Sequence, residues 1–231
     1  PEIGEVTDYI RVLDRSGYFE TVTLSEDDLK RNDMYRANAQ RAKAQSRFAD
    51  YHDYLLSLEM TAEIGDFSPL YLQRITQLTN KSNQFNLTTK RYTAEQMEAV
   101  YNSDEYIRLY GKLYDKFGDN GVVAVTIGKI DSEDKGRLDI ELWLMSCRVL
   151  KRDMELAMLD SLVAQAKKRG IREIYGHYYP TAKNKMVAGL YESFGFEKIS
   201  QDEECNTAWR LLVEGYEDKN TVIKVKEEHY A

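Results

Sequence analysis

The chain has 231 residues, enough for one large domain or two small ones with a real hydrophobic core. A formal net charge of −7 lacks the broad Lys and Arg excess of a general nucleic-acid binder, so no nucleic-acid partner is expected, although a local basic pocket remains compatible with it. No apolar run approaches the roughly 20 residues of a membrane span, no signal-peptide pattern is present, and Cys147 and Cys205 alone make no disulfide framework, so no membrane partner and a reducing, cytoplasmic compartment are expected. Residues 1–65 are expected to be mainly helical. Asp8 to Arg15 suits a short helix stopped by Gly17, and Ser25 with Glu26, Asp27 and Asp28 is a strong helix start. The run from Glu26 to Phe48 carries a narrow apolar stripe, with Arg36, Arg41, Lys43 and Arg47 expected on a solvated face. Asp50 to Leu58 reads as another helix, and Glu59 to Ile64 as a short β-like stretch ending at Gly65.

From Ser68 the pattern tightens. Ser68-Pro69 opens a helix with Pro in its first turn, and Leu70, Leu72, Ile75 and Leu78 recur near helical period through Thr79. Asn80 to Thr93 is a loop by composition, and Thr93 caps a helix running to Tyr101. Strands are expected over Tyr106 to Lys116, Val122 to Ile130 and Leu138 to Ser146, with Gly118-Asp119-Asn120-Gly121 as a hairpin turn and Asp131 to Gly136 as a second turn. Met154 to Arg169 is an amphipathic helix ended at Gly170. A strand over Ile171 to Tyr175, a helix over Thr181 to Phe194 and a last strand over Ala208 to Val213 follow, and the tail from Glu217 is undecided.

Chemistry concentrates between Ser146 and Phe196. A strand ends in a basic turn carrying Arg148, Lys151 and Arg152, then a helix begins, and cations at a helix N-terminus suit an anion such as a pyrophosphate. The alternative is a helix N-cap at Asp153 with surface cations. Cys147, beside Arg148 and ahead of that helix, reads either as an activated nucleophile or as an inert buried thiol. His177, in Gly-His-Tyr-Tyr-Pro, is a candidate base, against the commoner structural histidine. His52, His177 and His229 show no metal-ligand spacing, so no metal is expected.

Asn184-x-x-Val187-x-x-Leu190-Tyr191-x-x-x-Gly195-Phe196 resembles the N-x-x-A-x-x-L-Y-x-x-x-G-F pattern of the GNAT (N-acetyltransferase-like) fold. The resemblance implies an α/β (α+β) architecture: a GNAT-like twisted mixed sheet flanked by helices, here preceded by a helical N-terminal segment. It also implies pantetheine alongside Leu144, Met145 and Ser146, and a pyrophosphate at the turn over Arg148 to Asp153, matched against [RQ]-x-x-G-x-[GA]. Both glycines of that pattern are replaced, by Lys151 and Asp153, and a carboxylate at Asp153 opposes an anion. Coenzyme A or phosphopantetheine is the implied cofactor, with Asn184 near it. Tyr191 is the implied acid for the leaving thiolate, against a core tyrosine on an amphipathic helix.

Further stretches resemble one narrower family: MYRANAQR (Met34 to Arg41), LLSLEMTAEI (Leu55 to Ile64), RITQLTNKSNQFNLTTKRYT (Arg74 to Thr93), FGDNGVV (Phe117 to Val123), SCRVL (Ser146 to Leu150) and PTAKN (Pro180 to Asn184). They are similar to the C-terminal half of FkbH-like proteins, subfamily IIIC of the HAD superfamily. Such proteins join a HAD phosphatase-like domain to a helical connector and a GNAT-like domain, and draw a glyceryl unit onto an acyl carrier protein in polyketide assembly. The D-x-D-x-[TV] loop of HAD chemistry is absent, and Pro1 to Val6 resembles the segment following the HAD core, so that activity is not expected of this chain. The expected organisation is a connector at 1–65, a GNAT-like acyltransferase domain at 66–216 and a tail at 217–231. The expected function is acyl transfer from a pantetheine thioester of an acyl carrier protein or of coenzyme A (acyl-CoA). The alternative is a non-catalytic docking module for the HAD domain or a carrier protein.

Overall fold

The computed structural model describes residues 31–227, so the elements expected between Asp8 and Lys30 lie outside the described residues. The chain divides into two compact units, 1–43 and 44–231. In the first, helix α1 (Arg31–Gln45) begins, and Arg41, expected in solvent, is buried, with its guanidinium donating to Asn38 Oδ1 at 2.9 Å.

The second unit opens with α2 (Tyr51–Ser57), N-capped by Asp50, whose carboxylate accepts from the Asp53 N–H at 3.0 Å. Strand β1 (Thr61–Gly65) and helix α3 (Pro69–Lys81) follow. The Ser68 hydroxyl caps α3, with Pro69 in its first turn. Helix α4 (Ala94–Tyr101) starts with a full capping box between Thr93 and Gln96. Next come β3 (Tyr106–Asp115), β4 (Gly118–Ile130), β5 (Arg137–Met145), a 3-10 turn at Cys147–Val149, and α5 (Met154–Lys168). The last elements are β6 (Glu173–Tyr178), the short helix α6 (Leu190–Ser193), β7 (Glu197–Gln201), β8 (Thr207–Leu212) and β9 (Lys224–Glu227). A two-residue strand β2, Phe85–Asn86, sits between α3 and α4.

All the strands form one mixed sheet in the order β7-β8-β6-β5-β4-β3-β1-β9, with β2 added on β5. The twisted mixed sheet flanked by helices is therefore present as expected. One face carries α3 and α4, whose Ile75, Leu78, Met97 and Val100 pack with Tyr110, Val122, Val125, Ile127, Leu142 and Leu144 of β3 to β5. The other face packs α5, which buries Met154, Ala157, Met158, Leu159, Leu162, Val163 and Ala166. Each large side chain in that row stabilises the fold by about 1.5–3 kcal/mol through burial.

Several elements differ from expectation. The β3–β4 turn is Lys116-Phe117, two residues earlier than the Gly118–Gly121 hairpin. Asp115 sets it by accepting from the Phe117 N–H at 2.8 Å, while Gly121, at φ +69°, serves in the irregular stretch of β4 that follows. The helix expected over Thr181 to Phe194 is a 3-10 turn at Lys185–Val187 plus α6, because Asn184 is withdrawn into the interior. The boundary expected near residue 65 falls within the second unit: β1 pairs with β3, and β9, from the undecided tail, pairs parallel with β1.

Candidate functional site

β5 and β6 are parallel neighbours for only three residue pairs, Arg137–Glu173, Leu138–Ile174 and Asp139–Tyr175, and then part. Into the gap runs β2. Phe85 pairs with Met145 and Asn86 with Leu144. The Leu87 N–H donates to Trp143 O at 3.1 Å, and Leu87 O accepts from the Tyr179 N–H at 2.9 Å, so this short stretch bridges both strands. The Thr88 hydroxyl donates to Glu141 O at 2.7 Å, and Phe85, Asn86 and Leu87 are all buried. The loop expected from Asn80 to Thr93 thus contains a strand, in the place where the resemblance puts pantetheine beside Leu144 and Met145. Its ends are separately fixed. Asn80 Nδ2 donates to Tyr92 O at 3.1 Å, and Glu141 accepts from Lys90 at 2.6 Å and from the Tyr92 hydroxyl at 3.1 Å.

Asn184, expected near a cofactor, is fully buried and holds this strand in place. Its Nδ2 donates to Asn86 O at 2.9 Å and to Tyr179 O at 3.0 Å. Its Oδ1 accepts from the Thr181 N–H at 2.7 Å and the Thr181 hydroxyl at 3.0 Å. Two carbonyls on one side and an N–H on the other fix the orientation of the amide.

The basic turn after β5 is equally occupied by the chain itself. Ser146 is buried, and its Oγ accepts from Arg148 Nε at 3.2 Å. Arg152, expected at a pyrophosphate, turns inward. It pairs with Asp115 Oδ2 at 3.1 Å and donates to Arg148 O at 2.9 Å, with its side chain 10% exposed and that of Asp115 fully buried. Lys151 and Asp153 stand at φ +63° and +60°, so both non-glycine residues adopt the left-handed backbone that glycine adopts easily. Asp153 occupies the N-cap position of α5, but its side chain makes no capping hydrogen bond. The Lys151 carbonyl accepts from the Tyr51 hydroxyl at 2.6 Å. One residue into the first turn, the buried Oε2 of Glu155 finds no hydrogen-bond partner. Burial pushes the Glu155 carboxyl up to about 7, its own backbone N–H opposes this, and the Asp153 charge adds to it. A desolvated carboxyl beside a helix N-terminus and a guanidinium committed to Asp115 do not fit a pyrophosphate, and β2 does not leave room for pantetheine. Coenzyme A therefore does not fit the residues present.

Left-handed backbone at a non-glycine residue costs on the order of 1 kcal/mol. Lys151→Gly is thus expected to raise the unfolding midpoint by about 2–4 °C. Asp153→Gly should gain less, because Asp tolerates this region better. Thermal denaturation of both variants checks this, and a fall on Lys151→Gly would show that its side chain contributes more than the strain removes.

Tyr191, the expected acid, is a core residue at 1% exposure. Its ring packs on Phe196 at 4.9 Å and Trp209 at 6.4 Å, and against Gly176, where an added Cβ would come within 2.3 Å of it. Burial drives its hydroxyl well above the usual phenol range, with the His177 backbone N–H acting weakly the other way.

His177 projects from β6 with Nε2 3.4 Å from Asp139 Oδ1, and its ring stacks on Tyr179 at 6.3 Å. Asp139 also accepts two hydrogen bonds from Arg137, at 2.8 and 2.7 Å. Burial raises the Asp139 carboxyl, but the hydrogen bonds and charges of His177 and Arg137 outweigh it and hold it below the usual range. Both cysteines are exposed, Cys147 in the turn directly after β5. Sequence reasoning passed over Glu155 and Asn86. Glu155 lay in an ordinary acidic first turn, and Asn86 inside a segment whose only local signal was loop composition.

No helix among the described residues is long and apolar enough to cross a membrane. No protein-family model and no curated protein matches the sequence. Solved structures do match. The ribosomal-protein-S18-alanine N-acetyltransferase of Escherichia coli is similar at 12% identity and TM-score 0.50, over 70% of this chain and 99% of that one. A putative acetyltransferase of Salmonella typhimurium, solved with its cofactor acetyl-CoA, aligns at 13% identity and TM-score 0.50, over 68% and 96%. The GNAT domain of PAT from S. lividans aligns at 15% identity and TM-score 0.50, over 64% and 89%. Identities this low establish shared architecture and leave activity to the site itself. The chain has the GNAT acetyltransferase fold.

Proposed function

We propose that this chain is the GNAT-like part of an FkbH-like protein, with a HAD domain as its neighbour, and that it serves acyl transfer by docking an acyl carrier protein rather than by binding coenzyme A. The observation that carries this reading is β2, whose backbone takes the hydrogen bonds of β5 and β6 that a pantetheine arm would need. The inward turn of Arg152 and the burial of Tyr191 support it. Around the same end of β5 and β6 the exposed residues include Lys151, Tyr179, Lys183, Lys185 and Met186. On a chain of net charge −7, cations with apolar tips between them suit an acidic protein partner.

A second reading keeps acyl transfer within this chain, with Cys147 taking an acyl group from a carrier thioester. Its exposure at the end of β5 is what favours it. Calorimetric titration with acetyl-CoA, with a phosphopantetheinylated carrier protein and with the same carrier lacking its arm separates these. Docking predicts that both carrier forms bind with similar affinity, that binding weakens as salt rises, and that acetyl-CoA does not bind. Binding of acetyl-CoA without either carrier sinks the docking reading. Transfer of labelled acetyl from carrier to protein, lost in Cys147→Ser, would establish the second.

A further inference from the structure

We propose that the start of β3 is a docking edge for a short extended segment of a partner protein, one whose acidic side chains lie toward α5. The place is a cleft of about 200 Å³ between the first residues of β3 and the C-terminal half of α5. It lies at the far end of the sheet from β2, because β3 and β5 both run antiparallel to β4 and β2 pairs with the last residues of β5. This edge is separate from carrier docking, whose cations lie around the ends of β5 and β6.

β1 pairs with β3 only from Thr61–Tyr114 to Gly65–Tyr110. Continuing that register would set Phe67 opposite Arg108 and Pro69 opposite Tyr106. Neither can serve. The Phe67 N–H is taken by Asp66 Oδ1 at 2.7 Å, and Pro69, which opens α3, has no N–H. On its other side β3 pairs with β4 throughout this stretch. The Glu105 carbonyl accepts from the Ile130 N–H at 2.7 Å, so by antiparallel alternation Ile107 and Leu109 turn their backbone groups to β4. Tyr106 and Arg108 therefore turn their N–H and C=O groups away from β4, and no backbone group among the described residues pairs with them there. Such a row of donors and acceptors is what an added strand satisfies.

The two faces of this edge differ in charge. Ile107 and Leu109 pack on the α5 side, where the exposed Lys168 and Arg169 line the cleft with Val225 of β9. Arg108 is used elsewhere. It stands 5.6 Å over the Tyr101 ring, donates to Ser103 O at 2.7 Å and lies 3.0 Å from Asp66 Oδ1. Its charge is met by the protein, whereas Lys168 and Arg169 form no ion pair among the described residues. On a chain of net charge −7, these two cations favour acidic side chains at alternate positions of the added strand, those that face α5.

Amide exchange followed by NMR on the whole chain tests this. Without a ligand, the Tyr106 and Arg108 amides should exchange at least about a hundredfold faster than those of Ile107 and Leu109. Millimolar acetyl-Val-Glu-Val-Glu-Val-amide should slow both about tenfold, and acetyl-Val-Lys-Val-Lys-Val-amide should not. Lys168→Glu with Arg169→Glu should reverse that preference. Lys168→Gln alone, which removes one exposed cation, should weaken the acidic peptide and serves if the double variant does not fold. The free edge is refuted if all four amides exchange alike without peptide, as they would if the chain's own residues outside 31–227 paired there. The docking site is refuted if neither peptide slows Tyr106 and Arg108, and the acidic partner is refuted if both peptides do so equally.

Discussion

Arg152→Met is expected to lower the stability of the protein by about 3–5 kcal/mol, far beyond the ~1 kcal/mol of an exposed ion pair. Arg152 lies 3.1 Å from a fully buried Asp115 carboxylate, and Asp115 also anchors the turn between β3 and β4 through the Phe117 N–H. Asn120 joins the group, donating to Leu113 O and Asp115 Oδ2, both at 3.2 Å. The substitution keeps the side-chain volume but withdraws the guanidinium charge from a carboxylate that has no water around it. Asp115→Asn should be similarly damaging alone, and the pair Arg152→Met with Asp115→Asn should be less damaging than the sum. Urea unfolding of the three proteins measures this. A loss under about 1 kcal/mol for Arg152→Met would mean that the arginine is not committed to Asp115 and is available to an anion after all. The outcome therefore also decides what the basic turn is for.

The elements that read well from the sequence are those whose signals are local. Ser68-Pro69 and the Thr93/Gln96 capping box place two helix starts, and the apolar rows of α3 and α5 place the helices on opposite faces of the sheet. β2 was invisible for the opposite reason. Phe85 and Asn86 become a strand only because β5 and β6 part after three pairs, and nothing near residue 85 encodes a separation between residues 139 and 175. Asn184 likewise matched a pattern of the GNAT fold, yet its partners Asn86 and Tyr179 come from β2 and from the residue just after β6. The basic turn was legible as charge and misleading as function, since the direction in which Arg152 points depends on a buried Asp115 thirty-seven residues earlier. The sequence pattern of a fold thus survives here at positions where the side chains now serve the interior.

The protein is expected to lose stability as pH rises from about 4.5 to 7, and Glu155→Gln is expected to abolish most of that loss. The Glu155 carboxyl is raised from 4.5 to about 7 by burial, so between those values the folded protein keeps a proton that the unfolded chain has released. The folded state is then the one that binds more protons, and stability must fall as pH climbs through that window. At 1.36 kcal/mol per pH unit, the loss is roughly 3 kcal/mol by pH 8. Asp66 and Asp153 are shifted in the same direction by burial and add to the wild-type slope, but the difference between wild type and Glu155→Gln isolates the one group. Urea midpoints taken from about pH 4 to pH 8 should nearly coincide for the two proteins at pH 4, separate progressively between about pH 5 and pH 7 with the variant more stable, and keep a constant gap above that. Parallel profiles would show that Glu155 is solvated. The same carboxyl bears on the site. Above pH 7 a negative charge without hydrogen-bond partner for Oε2 sits in the first turn of α5, where the helix would otherwise favour an incoming anion. Raising the pH therefore both loosens this end of the domain and repels a phosphate from it, so an anion site at this turn, if one forms in Glu155→Gln, should lose the part of the pH dependence that Glu155 supplies.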